Sequence, residues 1–205
     1  MGMGWGGLGP AERRGVPSTG YFELVYDSRR AATVAHGGGY WSSPNTWEWD
    51  GSLWNPRSDA NLPGRDYSAM AYDSQRGVTV LFGGRGRTTT AKSRPLGDTW
   101  EWDGLIWTQR QREGPAFSLG HTASYDRLRD VVIMYNGGEY SDVTWQWDGR
   151  EWTVLDRDGP SPLYNPKMAY DELRGVTVMF GISTDDHWQF WSETWEWNGT
   201  VWSKR

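Results

Sequence analysis

Four times in 205 residues the chain repeats one phrase: Thr46-Trp47-Glu48-Trp49-Asp50-Gly51, then 99–104, then 144–149 with Gln146, then 194–199 with Asn198. A third Trp follows each copy at a fixed distance, at Trp54, Trp107, Trp152 and Trp202. A recurrence near fifty residues means one supersecondary unit copied along the chain, and such a unit buries its apolar faces only by stacking on its neighbours. The repeat therefore constrains the fold before any catalytic motif is considered.

The copy at 66–109 shows the unit most clearly. Residues 66–72 lead into the polar turn Asp73-Ser74-Gln75-Arg76-Gly77, where Gly77 is able to take a positive φ, and the β-branched, apolar run Val78–Phe82 follows. That reads as an outer-to-inner hairpin. After Gly83-Gly84 comes a long polar loop, then a strand ending at Trp102, the turn Asp103-Gly104, and a last strand through Trp107. Each repeat thus supplies four short antiparallel strands.

If Asp-Gly is a two-residue type I′ turn, Trp47 lies directly opposite Trp54, and Trp100, Trp145 and Trp195 pair likewise with Trp107, Trp152 and Trp202. Aromatic faces of that size need another sheet over them, so the motif Trp residues read as scaffold between stacked repeats. Tyr-Asp-x-x-Arg recurs too, with Asp27 and Arg30, Asp73 and Arg76, Asp126 and Arg129, Asp171 and Arg174. An Asp at a turn start caps backbone N–H groups and a nearby Arg holds its carboxylate, so these pairs also read as structural.

Tyr-Asp-x-x-Arg-Gly, an apolar strand ending in Gly-Gly, Asp-Thr-Trp-Glu-Trp-Asp-Gly and a final Trp together resemble the bacterial type of kelch repeat over about residues 21–203. The resemblance implies an all-β, kelch-type β-propeller of four-stranded blades, at about 21–58, 66–110, 118–155 and 164–204, after an N-terminal tail of residues 1–20. For function it implies mostly ligand or protein binding, with a minority of enzymes. The sequence departs from the pattern in places. The kelch His of the first strand appears only as His121, where the other copies have Phe22, Ser68 and Pro166, and the Gly-Gly pair decays to Gly181-Ile182 in the last copy. Kelch-bearing copper oxidases need a Tyr cross-linked to Cys, and the chain has no Cys.

Composition excludes several classes. The net charge of −5 gives no footprint for nucleic acid, and no apolar run approaches the length of a membrane span. Without Cys there are no disulfides, thiolate nucleophiles or Cys-ligated metals. Residues 1–10 carry no basic segment followed by an apolar stretch, so no signal peptide is read, and a cytoplasmic protein and a truncated secreted one both stay open.

Spacing locates the variation. Tyr to the end of the second strand is always 11 residues, the motif Thr to the last Trp always 8, and the last Trp to the next Tyr always 18. Only the segment between second and third strands changes, with 9, 16, 8 and 13 residues in the four copies. In a stacked array those segments share one face, where per-repeat variation marks a binding surface. They offer Tyr40 and Trp41; Arg85, Arg87, Lys92 and Arg94; Glu139, Tyr140 and Asp142; and Asp185, Asp186, His187, Trp188, Phe190 and Trp191. Aromatic rings beside charged groups suit a small-molecule, carbohydrate or protein ligand.

A second reading is enzymatic. His36 occupies the position of Phe82, Tyr135 and Phe180, at the end of a strand beside the expected channel mouth. With His121, His187 and Asp185 it would make a His/carboxylate site for a divalent metal whose bound water is activated for hydrolysis or isomerisation, although no HxH or HExxH spacing marks it. A third reading is a structural module of a larger secreted protein. Four blades sit at the low end for a propeller, and an open arc would expose two aromatic-lined faces, so two chains are expected to complete one eight-bladed ring as a homodimer. Trp5 lies 21 residues before Tyr26, near the constant 18, which makes the tail either a remnant strand that patches an edge or a Gly-rich extension.

Overall fold

The computed structural model describes residues 21–37, 46–57, 61–87, 93–116, 120–136, 142–157, 159–161, 163–185 and 187–205. They form four antiparallel sheets in a propeller arrangement, with no helix among the described residues. Blade 1 holds β1 (Phe22–Asp27), β2 (Ala32–Gly37), β3 (Thr46–Trp49) and β4 (Trp54–Arg57). Blade 2 holds a two-residue piece, β5 (Arg65–Asp66), and then β6 (Ala69–Asp73), β7 (Val78–Arg87), β8 (Ser93–Trp102) and β9 (Trp107–Gln111). Blade 3 is β10 (Thr122–Asp126), β11 (Val131–Tyr135), β12 (Thr144–Trp147) and β13 (Trp152–Asp156); blade 4 is β14 (Tyr164–Asp171), β15 (Val176–Thr184), β16 (Phe190–Trp197) and β17 (Trp202–Lys204). In every blade the strands lie in chain order.

The strands β1, β6, β10 and β14 pack against one another from blade to blade, so the first strand of each unit lines the axis. This reverses the outer-to-inner reading of the first hairpin. Its turn forms as expected. Asp27 Oδ1 accepts the N–H groups of Arg29 and Arg30, both at 3.0 Å, and Arg30 Nε donates to Asp27 Oδ2 at 2.6 Å. The residue after the Arg takes left-handed backbone in all four copies: Ala31, Gly77, Asp130 and Gly175, with φ of 53°, 72°, 58° and 66°.

The second hairpin corrects the Trp register. Asp50 Oδ1 accepts N–H from Ser52 at 2.8 Å and Leu53 at 2.9 Å, and Asp103, Asp148 and Asn198 repeat the arrangement. That side-chain turn spans four residues where the type I′ turn spans two. Trp49 is therefore the partner of Trp54, while Trp47 faces Pro56. Trp102–Trp107, Trp147–Trp152 and Trp197–Trp202 follow the same register, each with ring centroids 5.5 Å apart.

Alternation gives each blade two unlike faces, one bearing the Trp residues and one bearing the intervening Glu. The Glu face of each blade packs on the Trp face of the next. Val25 and Val34 of blade 1 lie on Met70, Leu81, Trp100, Trp102 and Trp107 of blade 2; Ala71 and Val80 lie on Tyr125, Val132 and Trp147; Ile133 and Tyr135 lie on Met179, Trp197 and Trp202. Polar contacts repeat with them. The third Trp of each following blade donates its indole N–H to the motif Thr of the blade before: Trp107 to Thr46 (2.9 Å), Trp152 to Thr99 (2.8 Å), Trp202 to Thr144 (2.8 Å). Trp102 donates to Glu48 at 2.9 Å and Trp147 to Glu101 at 3.3 Å. The arginines of the first turns reach over the next blade's Asp-Gly or Asn-Gly turn, where a Cβ at Gly104, Gly149 or Gly199 would run into Arg30, Arg76 or Arg129.

Glu48 anchors this pattern. It takes ion pairs from Arg30 and Arg57, both at 2.7 Å, and is 2% exposed. Burial works against its charge, but the bonds from Arg30, Trp102 and Arg57 outweigh it and hold the carboxyl below the usual range. Glu101 takes the same place between Arg76 and Arg110. Blade 3 replaces both ends of the network at once: Gln146 stands for the Glu and Leu155 for the second Arg, and the buried indole N–H of Trp197 has no acceptor.

Candidate functional site

Two of the variable segments are not loops. β7 pairs with β8 out to Arg87↔Ser93, and β15 with β16 out to Thr184↔Phe190, so blades 2 and 4 project long hairpins from the face where the first strands begin. The Gly-Arg-Gly-Arg stretch reads as loop in sequence, yet its backbone groups are satisfied by the ladder.

At the mouth of the axis lies a cavity of about 290 Å³ walled by Tyr21, Phe22 and Glu23 of blade 1, Tyr67 and Ser68 of blade 2, and Asn165 and Lys167 of blade 4. Gly120 and His121 of blade 3 line a smaller adjoining hollow. Tyr21, Tyr67, Gly120 and Asn165 occupy one position of the repeat, five residues before the turn Tyr. Three of them are left-handed, with φ of 55° at Tyr67, 111° at Gly120 and 51° at Asn165. Gly120 takes that backbone freely and Asn165 tolerates it, whereas a Tyr there stores on the order of 1–2 kcal/mol of strain, and such strain clusters at binding sites.

The strained Tyr67 is held from both sides. Its ring lies against Tyr21 with centroids 4.4 Å apart, and the Arg85 guanidinium sits 4.8 Å over its face. Arg85 is itself fixed by Asp66, at 2.9 and 3.2 Å. The hydrogen bond with Tyr21, with burial second, pushes the Tyr67 hydroxyl up to about 12, so it stays protonated at neutral pH. Behind this group, buried Arg65 grips Asp98 at 2.5 and 3.0 Å and the Gly83 carbonyl at 2.8 Å, and Trp100 donates to Asp98 at 2.7 Å. That clamp fixes the entry of blade 2 next to the cavity. Lys167 and Glu23 meet at 2.8 Å across the mouth.

The residues expected from sequence are dispersed. Arg85 belongs to the site, and Arg94 is exposed on β8. Asp142 is half-buried just before β12. Asp185 is spent on the hairpin turn, accepting N–H from His187 and Gln189 at 2.9 Å each, while Trp188 is exposed there. The Arg87 side chain, Tyr40, Trp41, Lys92, Glu139, Tyr140, Asp186 and the tail with Trp5 lie outside the described residues.

His36 is fully buried between blades 1 and 2, with Nδ1 3.0 Å from Thr46 Oγ1 and its ring on the edge of Trp107. Burial, helped by the Arg65 charge, lowers it to about 3, so the imidazole is neutral. It stands beside the mouth, as the register partner of the wall residue Glu23, but does not line the cavity. His121 packs edge-on against Phe82, and His187 sits in the blade 4 turn. Among the described residues no group of three or more His, Asp or Glu is placed to hold a metal.

Sequence reasoning missed Tyr21, Tyr67, Asn165 and Lys167. The signal was present as a fixed offset before the turn Tyr, filled by a different residue in each copy.

No family model matches the sequence, and neither does any curated protein. Among solved structures, the chain is similar to the structure of YjhT, at TM-score 0.69 and 12% identity, over 93% of this chain and 67% of that one. It is also similar to a chain of a nidogen/laminin complex, at TM-score 0.60 and 12% identity, over 91% of this chain and 63% of that one. The chain thus spans about two thirds of the length of each, and at this identity the likeness is one of fold: the chain is a β-propeller.

Proposed function

We propose that this chain is a binding propeller whose ligand sits in the axial mouth. The observation that carries the reading is the Tyr21–Tyr67–Arg85 stack, built on strained backbone and clamped from behind by Arg65 and Asp98. Structural packing alone has no use for an amphipathic ring held in left-handed backbone at a cavity wall. The exposed Tyr21 ring backed by Tyr67, with Ser68, Asn165 and the Glu23–Lys167 pair around it, fits a ligand with one apolar face and a rim of hydroxyls, and a saccharide has that chemistry.

A panel of mono- and oligosaccharides examined by saturation-transfer NMR and calorimetry tests this. Tyr67→Gly removes the ring while relieving the backbone, and should weaken binding at least about tenfold without loss of thermal stability. A panel with no millimolar binder, or a Tyr67→Gly protein that binds as well as the parent, would overturn the reading.

A further inference from the structure

The three blade-on-blade interfaces share one set of contacts, and both ends of the array carry the unused halves of that set. On blade 4, Glu196 is fixed by Arg174 at 2.5 Å and Arg205 at 2.6 Å, as Glu48 is by Arg30 and Arg57. Arg174 is the turn Arg that in the other blades lies over the next Asp-Gly or Asn-Gly turn; its side chain is 53% exposed, against 30% for Arg76. Phe180 is 52% exposed where its counterparts Phe82 and Tyr135 are at 1% and 0%. Ile182 continues that bare face along β15, with Phe190 beside it on β16.

Blade 1 carries the complement. A Cβ at Gly51 would meet nothing within 4 Å, whereas Gly104, Gly149 and Gly199 of the other three copies each lie under an arginine. Leu24 and Tyr26 on β1 share a face with Trp47 and Trp49 and are 50% and 56% exposed. Tyr125, the counterpart of Tyr26, is at 9%. The exposed Leu24–Tyr26 strip of this face is thus the acceptor for a Glu face, and the exposed Glu face belongs to blade 4 of the same sequence.

We infer that a second copy of this chain docks head to tail, blade 4 on the partner's blade 1, repeating the interface already made three times within the chain. The contact is heterologous, so two copies satisfy both ends by closing on each other into a ring of eight blades. Within one chain the inner strands of blades 4 and 1 are joined by the Lys167–Glu23 pair, whose side chains are 60% and 28% exposed. A solvent-exposed pair of that kind resists widening of the arc only weakly. The Tyr21–Tyr67 stack belongs to adjacent blades and is kept, whereas the Asn165 and Lys167 wall of the cavity moves away from it as the arc widens.

Sedimentation of the full chain should give twice the 23.4 kDa chain mass. Phe180→Asp disables only the blade 4 face and Leu24→Asp only the blade 1 face, so each variant alone should be a monomer. An equimolar mixture should form a one-to-one pair through the single intact interface. A wild-type monomer at every concentration up to millimolar overturns the inference, whether a partner protein or residues 1–20 cover the faces instead. It is overturned equally if the variants still dimerise, or if their mixture stays monomeric while the wild type pairs. Should either variant lose its β-sheet circular dichroism, Ile182→Asp and Tyr26→Lys replace them.

Discussion

Glu48→Gln should destabilise the chain by about 2–3 kcal/mol, and adding Arg57→Leu should recover most of it. Glu48 is 2% exposed and holds Arg30, Arg57 and the Trp102 indole at once. Removing one partner of a buried ion pair costs about 3–5 kcal/mol, reduced here because the two arginine side chains keep 31% and 42% of their exposure. Arg57 is left facing a neutral group, and the Trp102 N–H loses its carboxylate acceptor, as the Trp197 N–H lacks one over Gln146. Blade 3 already lives with Gln146 where Leu155 takes the place of the second Arg, while its Arg129 stays bound to Asp126 at 2.6 Å, as Arg30 is to Asp27. The double variant therefore rebuilds an arrangement the molecule contains. Urea unfolding at neutral pH, followed by Trp fluorescence, gives the three free energies, and the single variant's melting temperature should fall by roughly 4–12 °C. The double variant should lie within about 1 kcal/mol of wild type, a favourable coupling of 1 kcal/mol or more. Costs that simply add, or a double variant worse than Glu48→Gln, would refute the network as described.

Other outcomes follow from the same contacts. His36 is held neutral with its pKa near 3, below the unfolded value, so the stability its burial permits is complete above about 6.5 and is lost as pH falls toward 3. Between pH 7 and 5 wild type should lose about 2 kcal/mol more than His36→Phe, which installs the residue used at 82 and 180; equal losses in urea titrations would count against it. Asp98→Asn strands the buried Arg65 guanidinium and should cost about 3–5 kcal/mol, read by thermal unfolding, where a loss under 1 kcal/mol contradicts the clamp. Gln146→Glu with Leu155→Arg gives the orphan Trp197 N–H an acceptor and should stabilise by about 1 kcal/mol, measured by the same urea assay, with destabilisation the contrary result.

The propeller was legible because its signals are local and repeated: a turn Asp capping N–H groups, β-branched runs, and Trp residues at constant spacing. The Trp partner was misread by one position of the same face, because a side-chain turn of four residues and a tight turn of two look alike as Asp-Gly. The cavity of the axial mouth lies on the face expected from the variable segments, but it is walled by other residues. Loop length is visible in sequence, whereas Tyr67 and Asn165 matter through a backbone conformation that composition does not announce, and each blade fills that position differently. His36 stands where other copies have a core aromatic, and the structure keeps it in that place, buried against Trp107.

The central claim is that one directional interface, made three times inside the chain, is made again between chains. The absence of Cys allows a direct measurement: a chain carrying both Ser52→Cys and Arg174→Cys, treated with a short bismaleimide at neutral pH. The Asp-Gly turn of blade 1 and the turn Arg of blade 4 should become joined between two chains, giving a covalent dimer and nothing larger on a denaturing gel. Product confined to single chains, or a ladder of higher species, would contradict the closed head-to-tail pair.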